Sequence, residues 1–190
     1  MKKILLILLP VILIAGFIFY QKVNAEDETK TGGLMDKKIL IAYFSRGGNT
    51  RSIAQKIHAQ TGGDIFEIKP VTPYPNDYNE TAYGIAKEQK DKGIHPPINN
   101  IDAAPYDVIF VGTPAWWYTM APPVMTFLEN NNFEGKTIVP FITHGGGGGY
   151  TIDKDMEKLA KGSTVLKPLV VYENGGPGID KEIKSWIDKL

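Results

Sequence analysis

Three apolar runs dominate the chain: "KKILIAYF" at 37–44, "DVIFVG" at 107–112 and "KTIVPFIT" at 136–143. Each is too short for a buried helix, rich in β-branched and aromatic residues, and apolar at successive positions rather than at alternate ones. A strand of that kind is buried on both faces. Interior strands of a parallel sheet meet that condition because helices cover the sheet above and below. Helical patterns fill the gaps. Residues 50–60 place Ile53, Ala54 and Ile57 on one face, with Asn49 or Thr50 as the cap. Residues 76–92 place Tyr78, Ala82, Ile85 and Ala86 on one side, with Gly93 as the stop. Residues 122–130, 151–161 and 179–190 complete the set, and Pro122 or Pro123 is acceptable in a first turn. "DIFEIK" (64–69) and "TVLKPLVVY" (164–172) read as two more strands. Five strands alternating with five helices require crossover connections, hence an α/β fold with a doubly wound, five-stranded parallel sheet. Ligands in such folds bind at the carboxyl edge of the strands, where the strand order reverses.

Residues 1–25 are a different material. "MKK" is followed by 17 uncharged residues, 4–20, and "VNA" before Glu26 has the small residues of a signal-peptidase site. As a helix, residues 4–20 would be about 25 Å long, marginal for a hydrocarbon core of roughly 30 Å. The segment reads either as a signal peptide cut near Ala25 or as a retained membrane anchor. In both cases the rest of the chain is exported to an extracytoplasmic location. Residues 26–36 read as a polar tether and 37–190 as the folded domain. Without Lys2, Lys3 and Lys22 the balance is 18 basic against 21 acidic residues, a net charge of −3. That argues against a nucleic-acid binder, since phosphate binding needs a basic face. The absence of cysteine excludes disulfides, thiolate metal sites and cysteine nucleophiles.

Three loops leave the same sheet edge: "SRGGNT" (45–50), "TPAWWYTMAPP" (113–123) and "HGGGGGY" (144–150). In the first, glycines let backbone N–H groups curl inward ahead of a helix N-terminus, and Ser45, Asn49 and Thr50 add side-chain donors. That combination suits a phosphate. It is neither a Walker loop, since the lysine is absent, nor G-x-G-x-x-G. A serine hydrolase has no support, for there is no G-x-S-x-G.

"AYFSRGGNT" resembles the phosphate loop of flavodoxins, Ser/Thr-x-Thr-Gly-Asn-Thr after the first strand. "GTPAWW" is similar to the Pro-x-x-aromatic stretch of flavodoxin-like quinone reductases. The resemblance covers 37–190 and implies a flavodoxin-like sheet with strand order 2-1-3-4-5 and FMN as cofactor. It implies that Ser45, Gly47, Asn49 and Thr50 surround the phosphate, with the backbone of Arg46 and Gly48. The third motif position, usually Thr, is Gly47 here, and the Arg46 side chain either supplies charge in compensation or points to solvent. Pro114, Ala115, Trp116, Trp117 and Tyr118 would wall the isoalloxazine ring. Of the two tryptophans one is expected in the core, with Trp117 favoured at the ring. Gly145, Gly146 and Gly149 would offer peptide N–H groups to the flavin's pyrimidine edge, with Tyr150 over the ring and His144 near it; a mobile glycine lid with a structural His144 is the alternative. No glycine follows Pro114 in loop two, where flavodoxins commonly carry one beside the flavin, so two-electron chemistry gains weight over one-electron shuttling. The implied partners are a redox protein or a quinone, with NAD(P)H as a further donor. The competing class is a non-catalytic tethered module that grips a partner with its tryptophans. A response-regulator receiver shares the architecture, but Ser45 and Arg46 stand where its acidic pair belongs.

Overall fold

The apolar runs at 37–44, 107–112 and 136–143 do become neighbouring parallel strands. The computed structural model places β1 (Ile39–Tyr43), β2 (Asp64–Glu67), β3 (Val108–Trp116), β4 (Thr119–Met120), β5 (Thr137–His144), β6 (Thr164–Val165) and β7 (Leu169–Tyr172) in chain order. The parallel order is β2-β1-β3-β5, with β6 and β7 both on the outer side of β5; β4 is a short antiparallel return on β3. With β6 and β7 taken as one broken strand, this is the expected flavodoxin-like order. The description covers Leu34 and residues 36–190; the expected leader or anchor and nearly all of the tether lie outside the described residues. Residues 37–190 form one unit. Among the described residues no helix is long and apolar enough to cross a membrane.

All five residues of β1 are buried, as are Val108–Thr113 of β3 and Ile138–Thr143 of β5. Side chains alternate across the sheet, so two apolar layers form. Leu40, Ala42, Ile109, Val111 and Ile138 share one cluster with Val124, Phe127 and Met156. Helix α1 (Asn49–Thr61) buries Ile53, Ala54 and Ile57. It is tied to the last helix, α5 (Ile179–Ile187), by Lys56 Nζ to Asp180 (2.9 Å). Helices α2 (Ala86–Lys92), α3 (Pro122–Glu129) and α4 (Ile152–Leu159) supply the remaining cover. Each fully buried aromatic or aliphatic side chain contributes about 1.5–3 kcal/mol.

Two expectations need correction. The fifth strand is not continuous over 164–172. Ile138 pairs with Val165 and Phe141 with Leu169, so Val139 and Pro140 face Leu166, Lys167 and Pro168: one residue too many, a bulge. The cause is legible in hydrogen bonding. The carbonyls of Ile138 and His144 accept from Leu166 (2.9 Å) and Glu173 (2.8 Å) on that side. By alternation the backbone nitrogen of Pro140 points the same way, and it has no hydrogen to give. The bulge sits where Pro140 has no hydrogen to donate.

The helix expected over 76–92 is also not uniform. Its first half, Glu80–Ile85, is a wide π-helical turn in which Ala86 N–H donates to the Thr81 carbonyl, five residues back, and Gly84 leaves helical geometry (φ −94°, ψ −105°). The widened turn shifts the phase of everything before it. Thr81, Ala86 and Gln89 are therefore the buried residues, while Tyr78, assigned to the apolar side, is 62% exposed. Gly93 ends the helix in the left-handed conformation, as its place at the stop requires.

Candidate functional site

β1 and β3 lie side by side while their connections run to opposite sides, so the strand order reverses between them. Loop one leaves the end of β1 and loop two extends β3. Ser45 is buried, and its hydroxyl accepts a hydrogen bond from Gly48 N–H (3.1 Å). Gly48 sits at φ 97°, a value that favours glycine, and turns the chain into α1. Gly48, not Asn49 or Thr50, occupies the N-cap position, and no side chain caps the helix. The first intrahelical bond at this end is Ser52 N–H to Gly48 carbonyl (2.9 Å). The N–H groups of Asn49, Thr50 and Arg51 have no partner among the described residues. A β-carbon at Gly47 would meet no protein atom within 4 Å, so packing alone does not require glycine there. Loop one thus presents unpaired backbone donors at the positive end of a helix.

Asn49 is exposed; Thr50 is buried, its hydroxyl 2.8 Å from that of Thr143 at the end of β5. Arg46 is half-buried and does not fold over loop one. It donates to the Asn76 carbonyl (2.8 Å) and lies 5.5 Å from the Tyr78 ring centroid, and its Nε is buried without a partner. Arg51 pairs with Glu67, and that hydrogen bond raises its pKa.

Loop two is a hairpin. β3 runs on through Pro114, Ala115 and Trp116, and Ala115 and Trp116 pair with Met120 and Thr119 of β4. The two-residue turn is Trp117-Tyr118, at φ 47° and 71°. A tight turn in a right-twisted hairpin requires positive φ at both places and usually takes Asn-Gly. The buried Thr113 hydroxyl braces the base, accepting from Ala121 N–H (3.0 Å) and donating to the Pro114 carbonyl (2.9 Å). The two tryptophans part company. Trp116 packs edge-on against Phe44 and Tyr74, each at 5.3 Å, under loop one. Burial pushes the Tyr74 hydroxyl's pKa well up, and that hydroxyl donates to Gln89 (2.6 Å). Trp117 turns toward the wide turn, donating its indole N–H to the Ala82 carbonyl (2.7 Å). Tyr118, 67% exposed, turns toward loop three.

The model for the family described as Flavodoxin matches residues 38–190. The chain belongs to the flavodoxin family. A structure from Bacteroides eggerthii, assigned as a flavoprotein, is 30% identical with a TM-score of 0.69, covering 82% of this chain and 98% of its own. A Lactobacillus acidophilus flavoprotein in complex with FMN is 27% identical with a TM-score of 0.60, covering 80% of this chain and 99% of its own. Oxidised flavodoxin 2 from Bacillus cereus, 21% identical with a TM-score of 0.50 and coverage of 80% and 95%, shares the fold.

In this flavodoxin-family chain, loop three closes the edge. His144 ends β5; its Nδ1 accepts from Gly146 N–H (3.0 Å), and its ring lies 5.8 Å from Tyr172. Gly145 and Gly146 are exposed. Gly149 packs so closely that a β-carbon there would come 2.9 Å from Val170. Tyr150, at φ 51° and 45% exposed, folds its hydroxyl over Gly147 and meets Tyr118 edge-on at 5.1 Å. The three loops and the strand ends that carry them are therefore joined pairwise: one to three by Thr50–Thr143, one to two by Phe44–Trp116, two to three by Tyr118–Tyr150. Thr143, Thr113 and Tyr74 go unnoticed in the sequence. A hydroxyl at the end of an apolar strand is the only signal the first two leave.

Proposed function

We propose that residues 37–190 are an FMN-binding redox domain that exchanges electrons outside the cytoplasmic membrane. The observation that carries this is the cradle at loop one: partnerless N–H groups of Asn49, Thr50 and Arg51 at a helix start, on the edge where the strand order reverses. Family membership and the FMN complex of the Lactobacillus acidophilus relative support the cofactor. The donor set fits a phosphate dianion, and the exposed Tyr118–Tyr150 pair fits the flat apolar ring beyond it. FMN, when bound, supplies the redox chemistry. The chain's part is to hold the phosphate with backbone dipoles, to wall the ring with Tyr118 and Tyr150, and to exclude water at Trp116.

One observation favours two-electron exchange, with NAD(P)H or a quinone as the second reactant, over a one-electron shuttle. Loop two is pinned: both turn residues already sit at positive φ, and the Trp117 indole is hydrogen-bonded to Ala82. No glycine is present to let a peptide there rotate. Export rests on residues 1–25 and their apolar run.

The test is an absorption spectrum of purified 26–190 mixed with FMN and reduced stepwise. Oxidised-flavin bands that co-purify or titrate in at micromolar FMN are the expected result, followed by direct bleaching with NAD(P)H. Folded protein that stays colourless would remove the redox assignment and leave the tethered binding module.

A further inference from the structure

The tip of the hairpin has a second side. Trp116 and Trp117 form one wall of a cleft of about 220 Å³; Ala82 and Tyr83, on the wide turn, form the other, and Arg46 closes one end. Four features of this cleft point the same way. Its size exceeds the ~150 Å³ that holds a benzene molecule in an apolar cavity, so one substituted ring fits. Its walls are aromatic and already arranged edge to face, with Tyr83 5.7 Å from Trp117 and 6.4 Å from Tyr78. Its charge is of one sign: no acidic side chain lines it, and Arg46 stands at one end. Finally, Arg46 Nε has no hydrogen-bond partner although buried, an unmade bond that calls for an acceptor. The ring above it, Tyr78, is exposed and able to turn aside. The π-helical turn itself is a distortion that recurs where helices line functional sites.

We propose that this cleft binds a small single-ring aromatic carboxylate, its ring packed against the Trp117–Tyr83 pair and its carboxylate on Arg46. The site is separate from the cofactor cradle. The cradle's donors are backbone groups at 49–51, whereas the cleft is built from the hairpin residues Trp116 and Trp117 and the turn 80–85. Arg46 and Trp116 are the residues that both adjoin.

The test uses the full-length chain in mild detergent and 4-fluorobenzoate as probe, followed by fluorine NMR with and without saturating FMN. Saturable binding with a Kd of about 1 mM or tighter is expected in both conditions. Uncharged 4-fluorobenzamide should bind about tenfold more weakly, since it forfeits the charge-assisted bond to Arg46. Ala82→Leu, which fills the cleft, should weaken 4-fluorobenzoate about tenfold or more. Tyr83→Ala, which removes an exposed wall and leaves the core alone, should do the same, and it serves if the leucine variant misfolds. Absence of saturable binding, binding by both variants unchanged from the parent chain, or loss of binding once FMN is added would each overturn the proposal. FMN uptake is read in the same samples. Failure of FMN alone would sink the redox reading and leave this site standing; failure of 4-fluorobenzoate alone would do the reverse.

Discussion

Loops one and two solve the same backbone problem by opposite means. Both need positive φ at the end of a buried strand. Loop one places Gly48 there, at 97°, where glycine meets no steric objection. Loop two places Trp117 and Tyr118 there, at 47° and 71°, where a side chain costs about 1–3 kcal/mol each. Only tertiary contacts can hold such a turn: Trp117 to Ala82, Tyr118 to Tyr150, and Trp116 into the Phe44–Tyr74 cluster beneath. A loop made of glycine owes its shape to itself, whereas a loop made of aromatics owes it to its neighbours. The first suits a small charged group bound by backbone dipoles. The second suits a flat ring, because the side chains that strain the turn are also the surface offered.

Four single substitutions and one double variant probe that contrast. Trp116→Ala should cost most, about 3 kcal/mol in denaturant unfolding, because it empties the cluster that supports the hairpin. An effect below 1 kcal/mol would mean the turn stands without it. Thr143→Val should cost about 2 kcal/mol by leaving the buried Thr50 hydroxyl unpaired, with Thr50→Val/Thr143→Val closer to wild type than the single variant. If the double variant is the worse of the two, the hydroxyl pair is not what joins loops one and three. Gly48→Ala should cost about 1–2 kcal/mol and weaken FMN more than riboflavin, since only the phosphate end is disturbed. Equal losses for the two ligands would contradict the cradle. Tyr118→Gly should give the smallest change and the opposite sign, a gain of about 0.5 kcal/mol as turn strain relief outweighs the lost Tyr150 contact. Its FMN affinity should fall nonetheless, and a variant both less stable and unchanged in affinity would refute the strain argument.

Much of this was legible because parallel strands advertise themselves. Continuous apolar runs, a glycine-bearing loop after the first and aromatic residues after the third suffice for the sheet and for the location of the edge. What escaped detection was decided by geometry between segments. Pro140 reads as one more apolar residue in "IVPFIT", and its consequence, a bulge opposite, appears only once the neighbouring strand is placed. The wide turn at 80–85 has no compositional mark beyond Gly84, yet it moves Tyr78 from the expected apolar side to the surface. The division of labour between Trp116 and Trp117 was expected in kind, one of them in the core. Which way Trp117 faces depends on a carbonyl 35 residues earlier, at Ala82.

That single indole hydrogen bond makes Trp117 and Tyr118 a seesaw. One end rests on the helix that follows β2, the other on the glycine-rich stretch that follows β5. Two adjacent residues held in a stiff reverse bend cannot tilt independently. A push at Ala82 should therefore register at Tyr150, and fluorine NMR of the 3-fluorotyrosine-labelled chain would show whether the beam is rigid.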